Sequence, residues 1–193
     1  NSLGTVGIAP GCKSISARTF ITTNASGNWT SQASWTVNAL TFAESEGVRV
    51  TNNSNSYGFT SSAIATKYST TRSNGMVHFA SAGNSGGTVI AYPSSLSTVN
   101  AVAALQPNGT LASFSDSGVG LAFSAPGTSV YTTDRAGSDG YAGGDYAYVQ
   151  GTSFASPYTA GVAALVLSKN SLQSAANVET IMQNSCVDLG SAG

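Results

Sequence analysis

The sequence predicts an α/β fold in which helices cover both faces of a mostly parallel sheet. Strand-like and helix-like segments alternate in the order β-α-β-α-β through the first half of the chain. One of the strands, "MVHFASAG" (76–83), reads as a buried strand. The length of 193 residues suits one good core and a single domain. Sheets of this kind collect their ligands at the carboxyl ends of the strands.

Taken in order, "KSISARTF" (13–20) reads as a strand and "SQASWTVNALTFAESEG" (31–47) as a helix closed by Gly47. "VRVTNN" is strand-like, "SSAIATKYSTTRSNG" (61–75) helical, and 76–83 the buried strand. The second half adds short strands at 99–105 and 120–126, a long helix from about Ser153 and a last helix from about Ala175. Gly and Ser are spread along the chain and mark turns, not a boundary; there is no repeat or linker.

Composition removes several classes of partner. Seven Lys and Arg face eight Asp and Glu, which provides no basic surface for nucleic acid or anionic lipid. No apolar run approaches the roughly 20 residues that cross a bilayer. Cys12 and Cys186 lie near opposite ends. A bridge between them would contribute about 4–5 kcal/mol by the loop-entropy model, and two separate buried thiols are the alternative the sequence leaves open. The first residues, "NSLGTVGIAP", have neither an initiator Met nor a secretion signal, so the start reads as processed or truncated.

The stretch "GTSFASPYTAGVAALVLSKN" (151–170) carries the chemistry. Gly151 permits a turn closed to residues with a Cβ, Thr152 can cap, and Ser153 opens a helix where free N–H groups and the dipole favour negative charge. Pro157 is expected near the end of the first turn, where a missing N–H costs little. A serine here is ordinarily only a cap. Upstream, "SAGNSG" (81–86) ends the buried strand and delivers Asn84 to the carboxyl edge of the sheet. Its amide can donate into a crevice, although an Asn between glycines also suits a plain turn.

"GTSFASP" resembles the nucleophile motif of the subtilisin-like serine proteases, and "ASAGNSG" that family's oxyanion-asparagine motif. The segments "GTVGIAPGCKSISARTF", "NSYG", "YPSSLSTVNAVAAL" and "ASFSDSGVGLAFSAPGTSVYTT" are similar to family segments in the same order. The resemblance implies a three-layer subtilisin-like fold with its N-terminal part missing, and 1–193 as one incomplete catalytic domain. It implies Ser153 as nucleophile, with its backbone N–H and the Asn84 side chain binding the oxyanion. Ser56, Tyr57 and Gly58 would form one wall of a cleft for a peptide or protein substrate. Ala82 and Gly83 would form the other wall of the primary specificity pocket, with Ala91 near its base. As none of these is charged, an apolar or medium-sized side chain is expected in the pocket.

The triad is incomplete on this resemblance. The family's Asp and His precede "GIAP", which here begins at residue 7, so they would lie upstream of Asn1. His78, the single histidine, falls six residues before Asn84, about 20 Å along a strand, and reads as a satisfied interior group. Asp116, Asp134, Asp139 and Asp145 are in loop-like segments, with no motif placing any of them beside a histidine. Tyr158 stands where many relatives carry His and is read as packing. The parent is therefore expected to be a secreted endopeptidase, and this chain to be nearly inactive unless a separate N-terminal segment supplies Asp and His. A noncatalytic peptide-binding module is the alternative. The sequence points to no definite cofactor; the loop Asn1–Thr5 resembles one that holds calcium in some relatives, with only Asn1, Leu3 and Thr5 matching, so at most weak calcium binding is expected. Loss of the first strands predicts an unpaired strand edge and an exposed apolar face.

Overall fold

The computed structural model describes residues 4–24 and 28–189. Its centre is a four-stranded parallel sheet made of β3 (Val50–Asn53), β4 (Val77–Ser81), β5 (Asn100–Leu105) and β6 (Leu121–Pro126), in that spatial order. Two small antiparallel ribbons flank it: β1 (Ile21–Thr22) with β2 (Trp29–Thr30), and β7 (Val130–Thr133) with β8 (Tyr146–Val149).

Side-chain alternation along β4 explains the layers. Val77 and Phe79 face a core completed by Ala155, Ala163 and Leu167 of α3 (Thr152–Lys169) and Val178 and Met182 of α4 (Ala175–Ser185). Ala80 faces the opposite core, with Leu40 of α1 (Ala33–Ser45) and Ile64 and Tyr68 of α2 (Ser62–Ser73). All five residues of β4 are buried, so its near-continuous apolar run follows from being covered on both sides. Helix starts follow local chemistry: Ser61 accepts the Ile64 N–H at 3.4 Å and Ser174 the Asn177 N–H at 3.2 Å. The α/β architecture and the sheet flanked by helices are as the sequence predicts.

His78 is fully buried on the α1–α2 side, with Nδ1 2.7 Å from Thr51 Oγ1 and Nε2 3.0 Å from Thr71 Oγ1. Its ring meets Tyr68 edge-on at 4.8 Å. Burial, reinforced by the positive charge of Arg72, brings its pKa down to about 4.

Three local expectations are corrected. Residues 13–20 form no strand. A strand needs a ladder partner, and an open cavity of about 980 Å³ separates this segment from β3, with Ile15 and Ala17 on one side and Val50 and Asn52 on the other. The ribbon β7–β8 was not anticipated; its glycine-rich connection obscures two short strands. Finally, Cys12 and Cys186 are both exposed and unbridged, so neither a staple nor a pair of buried thiols describes them.

The anticipated edge and apolar face are present. Among the described residues β3 pairs with β4 alone, and Val162 and Leu165 of α3 are exposed. Asn1 and Leu3 of the loop considered for calcium lie outside the described residues, and Thr5 is exposed. Calcium takes six to eight oxygens. Among the described residues no three His, Cys, Asp or Glu side chains are grouped to hold a metal ion, and most of the Asn1–Thr5 loop, with its amide and main-chain oxygens, lies outside those residues.

Candidate active site

The carboxyl edge of the sheet meets the start of α3. Gly151 takes φ +142°, a backbone conformation that suits glycine, and turns the chain into the helix. It is also the N-cap residue, so Thr152 does not cap; Thr152 is the first helical residue. Its backbone N–H and its hydroxyl both donate to Asn84 Oδ1 at 2.9 Å, and the hydroxyl accepts the Gly83 N–H at 3.3 Å. The side chain of Asn84 thus satisfies one of the orphan donors of α3 from across the cleft.

This contact fixes which way the carboxamide faces. With Oδ1 taken by Thr152, Nδ2 turns toward the opening of α3. The point that a Cβ on Gly151 would occupy lies 3.7 Å from Asn84 Nδ2 and 3.7 Å from Ser153 N. Ser153 is the second residue of α3, and its N–H has no acceptor within the helix. Two N–H donors therefore border one small space at a helix N-terminus, where the dipole favours negative charge.

The Ser153 hydroxyl donates to the Ser54 carbonyl at 3.1 Å, and the Ser54 hydroxyl donates back to the Ser153 carbonyl at 2.7 Å. The second bond has a cause in the sequence. Pro157 is the sixth residue of α3 and not part of its first turn. It lacks the N–H that would bond the carbonyl four residues earlier, and Ser54 replaces it. Ser156 anchors the same strand end by donating to Asn52 Oδ1 at 2.6 Å.

An open cleft of about 450 Å³ joins these groups; Ser56, Gly83, Asn84, Ala91 and Ser153 all line it. Tyr57, Gly58 and Ala82 do not. Tyr57 is buried, stacked on Phe20 with centroids 5.2 Å apart and with its Oη 2.7 Å from Thr36 Oγ1. Ala82 is fully buried and contributes its backbone, accepting the Ala91 N–H at 2.8 Å. Gly58 is exposed beside Tyr57.

Sequence reasoning missed Ser54, Trp29 and Asp116 in this lining. Trp29 and Ser54 are brought in by folding alone. Asp116 sits within a quoted motif, and the expectation of an uncharged pocket overlooked it. His78 is not in the cleft. It stands level with Thr51 in the sheet, three residues short of Ser54 and so about 10 Å along the strand, with both ring nitrogens engaged.

At the carboxyl edge of this parallel α/β sheet, a serine at the start of a central helix thus stands across from an asparagine. The chain belongs to the subtilase family of peptidases (peptidase S8), whose model matches residues 1–193. It is 34% identical over 191 residues to subtilisin Savinase of Lederbergia lenta, covering 99% of this chain and 66% of that protein. It is also 34% identical over 196 aligned positions to subtilisin E of Bacillus subtilis (strain 168), covering 100% of this chain and 48% of that one. Among solved structures, it resembles the S41 psychrophilic protease with a TM-score of 0.67 and 31% identity, covering 80% of this chain and 56% of that one. It resembles a lanthipeptide protease with a TM-score of 0.76 and 25% identity, covering 88% of this chain and 62% of that one. The chain spans about half to two thirds of the length of the curated relatives it matches.

Proposed function

We propose that residues 1–193 form the carboxyl-terminal portion of the catalytic domain of a secreted serine endopeptidase. The observation that supports this reading is the approach of Asn84 Nδ2 and Ser153 N to one space at the start of α3, beside the cleft that Ser153 and Asn84 line. In this reading Ser153 Oγ attacks the carbonyl carbon of the scissile peptide bond while its proton passes to a base. Negative charge collects on the former carbonyl oxygen, where the two N–H groups stabilise it. Collapse expels the amine, which takes the proton, and leaves an acyl group on Ser153 that water then removes. The wall at Ser56 and the opposite wall at Gly83 and Ala91 hold the peptide.

The base and its carboxylate partner come from a segment upstream of Asn1. The chain's one histidine is occupied elsewhere, and the Ser153 proton meets a backbone carbonyl, which cannot act as a base at neutral pH. The cavity between residues 13–20 and β3 supports the same reading. It is bordered by the unpaired edge of β3 and runs toward Asn55, next to the cleft. A strand inserted there would gain a ladder on β3 and bring its carboxyl end toward Ser153. The exposed apolar residues of α3 add a surface for such a segment to cover. No described helix is long and apolar enough to cross a membrane, and the scarcity of charge gives nucleic acid no surface to bind.

The Ser153-to-Ser54 hydrogen bond also favours a second reading, a peptide-binding module that does not cleave. One experiment separates the two. The chain is expressed alone and joined to an upstream subtilase segment carrying a strand that ends in Asp and a helix that opens with His, and hydrolysis of fluorogenic peptides is followed. The peptidase reading expects background rates from the chain alone and a gain of at least about 10³-fold on joining, abolished by Ser153→Ala. A joined protein that binds peptides and cleaves none of them favours the binding module.

A further inference from the structure

Asp116 has no part in the chemistry proposed above, yet it is buried to within 4% of full enclosure and lines the cleft. Its two carboxylate oxygens are in different situations. Oδ1 accepts the Ser85 N–H at 2.9 Å, the Ser85 hydroxyl at 2.6 Å and the Gly87 N–H at 2.9 Å. Its own backbone N–H donates to the Gly83 carbonyl at 2.9 Å. These four bonds fix the side chain in one orientation. Oδ2 points the other way and accepts no hydrogen bond among the described residues.

Oδ2 can be located from its neighbours. A Cβ on Gly83 would lie 2.0 Å from Oδ2 and 3.3 Å from the Cβ of Ala91. The oxygen therefore fills the space that glycine leaves at position 83, beside Ala91. Those are the residues that form the wall and base of the primary specificity pocket. The ion pairs of the described residues join Lys67 to Glu44 and Arg72 to Glu179, so no cation among the described residues answers Asp116. No described donor reaches Oδ2, which is left open to the cleft, and a cation arriving there replaces its water with a charge-assisted bond.

We infer that Asp116 determines specificity: it selects peptides that place a Lys or Arg side chain in the pocket between Gly83 and Ala91, immediately before the bond to be cut. The aliphatic stem of such a side chain lies along the small apolar walls while its charged head reaches Oδ2. An uncharged side chain leaves Oδ2 unanswered, so discrimination comes from the penalty on the wrong ligand as much as from attraction to the right one. This inference rests on the cleft being the peptide site, and it replaces the apolar preference expected from the pocket's other residues.

The test needs binding only, so it uses the 193-residue chain without complementation. Fluorescent hexapeptides that differ at one position are titrated by anisotropy: Lys against norleucine, and Arg against citrulline. Two further arms are a peptide with its Lys moved two positions along and the Asp116→Asn protein. The inference expects Lys and Arg to bind at least about 10-fold more tightly than their neutral counterparts. That advantage should disappear when the Lys is moved, and in Asp116→Asn. Equal affinity for Lys and norleucine in the wild-type chain overturns it, leaving Asp116 as a tie for the 83–87 loop, and so does an advantage that survives moving the Lys. Both outcomes come from the unmutated protein and do not depend on whether the variant folds. If none of the peptides binds, the peptide-site reading fails and the inference fails with it; equal binding leaves that reading intact.

Discussion

The side-chain oxygen of Asn84 accepts two hydrogen bonds from one residue, the backbone N–H and the hydroxyl of Thr152, each 2.9 Å long. This pair of bonds decides which end of the carboxamide faces the cleft. It also ties the strand end that carries Asn84 to the helix that carries Ser153, so the two donors keep a fixed relation.

Thr152→Ala should remove one of the two bonds that hold Asn84, the hydroxyl's, while leaving every proposed reacting group in place. In the complemented enzyme we expect kcat to fall about 10-fold with little change in KM, because the lost alignment matters most in the transition state. Thr152→Ser keeps the hydroxyl and should restore most of the rate. Steady-state kinetics on the two variants checks this, and equal rates for both would argue against the positioning role.

Asn84→Ala removes the donor itself. The expected loss in turnover is about 10²- to 10³-fold, a range established for this very donor in subtilisin and applied here by analogy. Peptide affinity of the isolated chain should change little, as measured by anisotropy.

Gly151→Ala places a methyl group within 3.7 Å of both donors. It also asks a residue with a Cβ to hold φ +142°. A destabilisation of about 1–3 kcal/mol is expected from the backbone alone, read as a lower urea midpoint with unchanged slope.

Ser54→Ala leaves the Ser153 carbonyl without the hydroxyl that replaces the missing Pro157 N–H. We expect a cost of about 1–2 kcal/mol. In Pro157→Ala the helix can make its own bond to that carbonyl, so removing Ser54 should then cost much less. A double-mutant cycle by urea unfolding measures this coupling, and strictly additive effects would contradict the explanation.

His78 makes stability dependent on pH in a known direction. Burial holds its folded-state pKa at about 4, below the value of about 6.5 in an unfolded chain. Between these values the unfolded state binds more protons, so its contribution is complete above about pH 6.5 and is lost as pH falls toward 4. The charged groups nearest are Arg72 of α2 and, through Asn100, Glu179 of α4. The expected loss is of order 3 kcal/mol, measured as the fall in urea-unfolding stability from pH 7 to pH 4. His78→Gln should flatten that part of the profile.

Much of the fold was legible in the sequence because the buried strand 77–81 and the helices around it carry distinct periodicities and clear stop signals such as Gly47. Residues 13–20 misled because their apolar alternation describes a strand whose pairing partner is not beside it, and pairing is not a local property. With Thr152 as the cap, Pro157 reads as the fifth helical residue; the cap is Gly151, so Pro157 is the sixth, and the Thr152 hydroxyl donates to Asn84 across the cleft instead. Ser153 and Asn84 stand out in the sequence because each sits in a dense motif. Asp116 was passed over because, in sequence, it is one more acid in a loop. Only the folded chain shows its Oδ1 accepting three hydrogen bonds and its Oδ2 beside Gly83 and Ala91.

The central claim is that position 153 carries a nucleophile waiting for a base from outside this chain. It is tested most directly by treating the chain with a serine-directed fluorophosphonate, alone and after assembly with the upstream Asp- and His-bearing segment, and locating the adduct by peptide mass spectrometry. The account predicts rapid, stoichiometric modification of Ser153 in the assembled protein and almost none in the chain alone. Rapid labelling of Ser153 in the chain alone, or labelling of another residue after assembly, would contradict it.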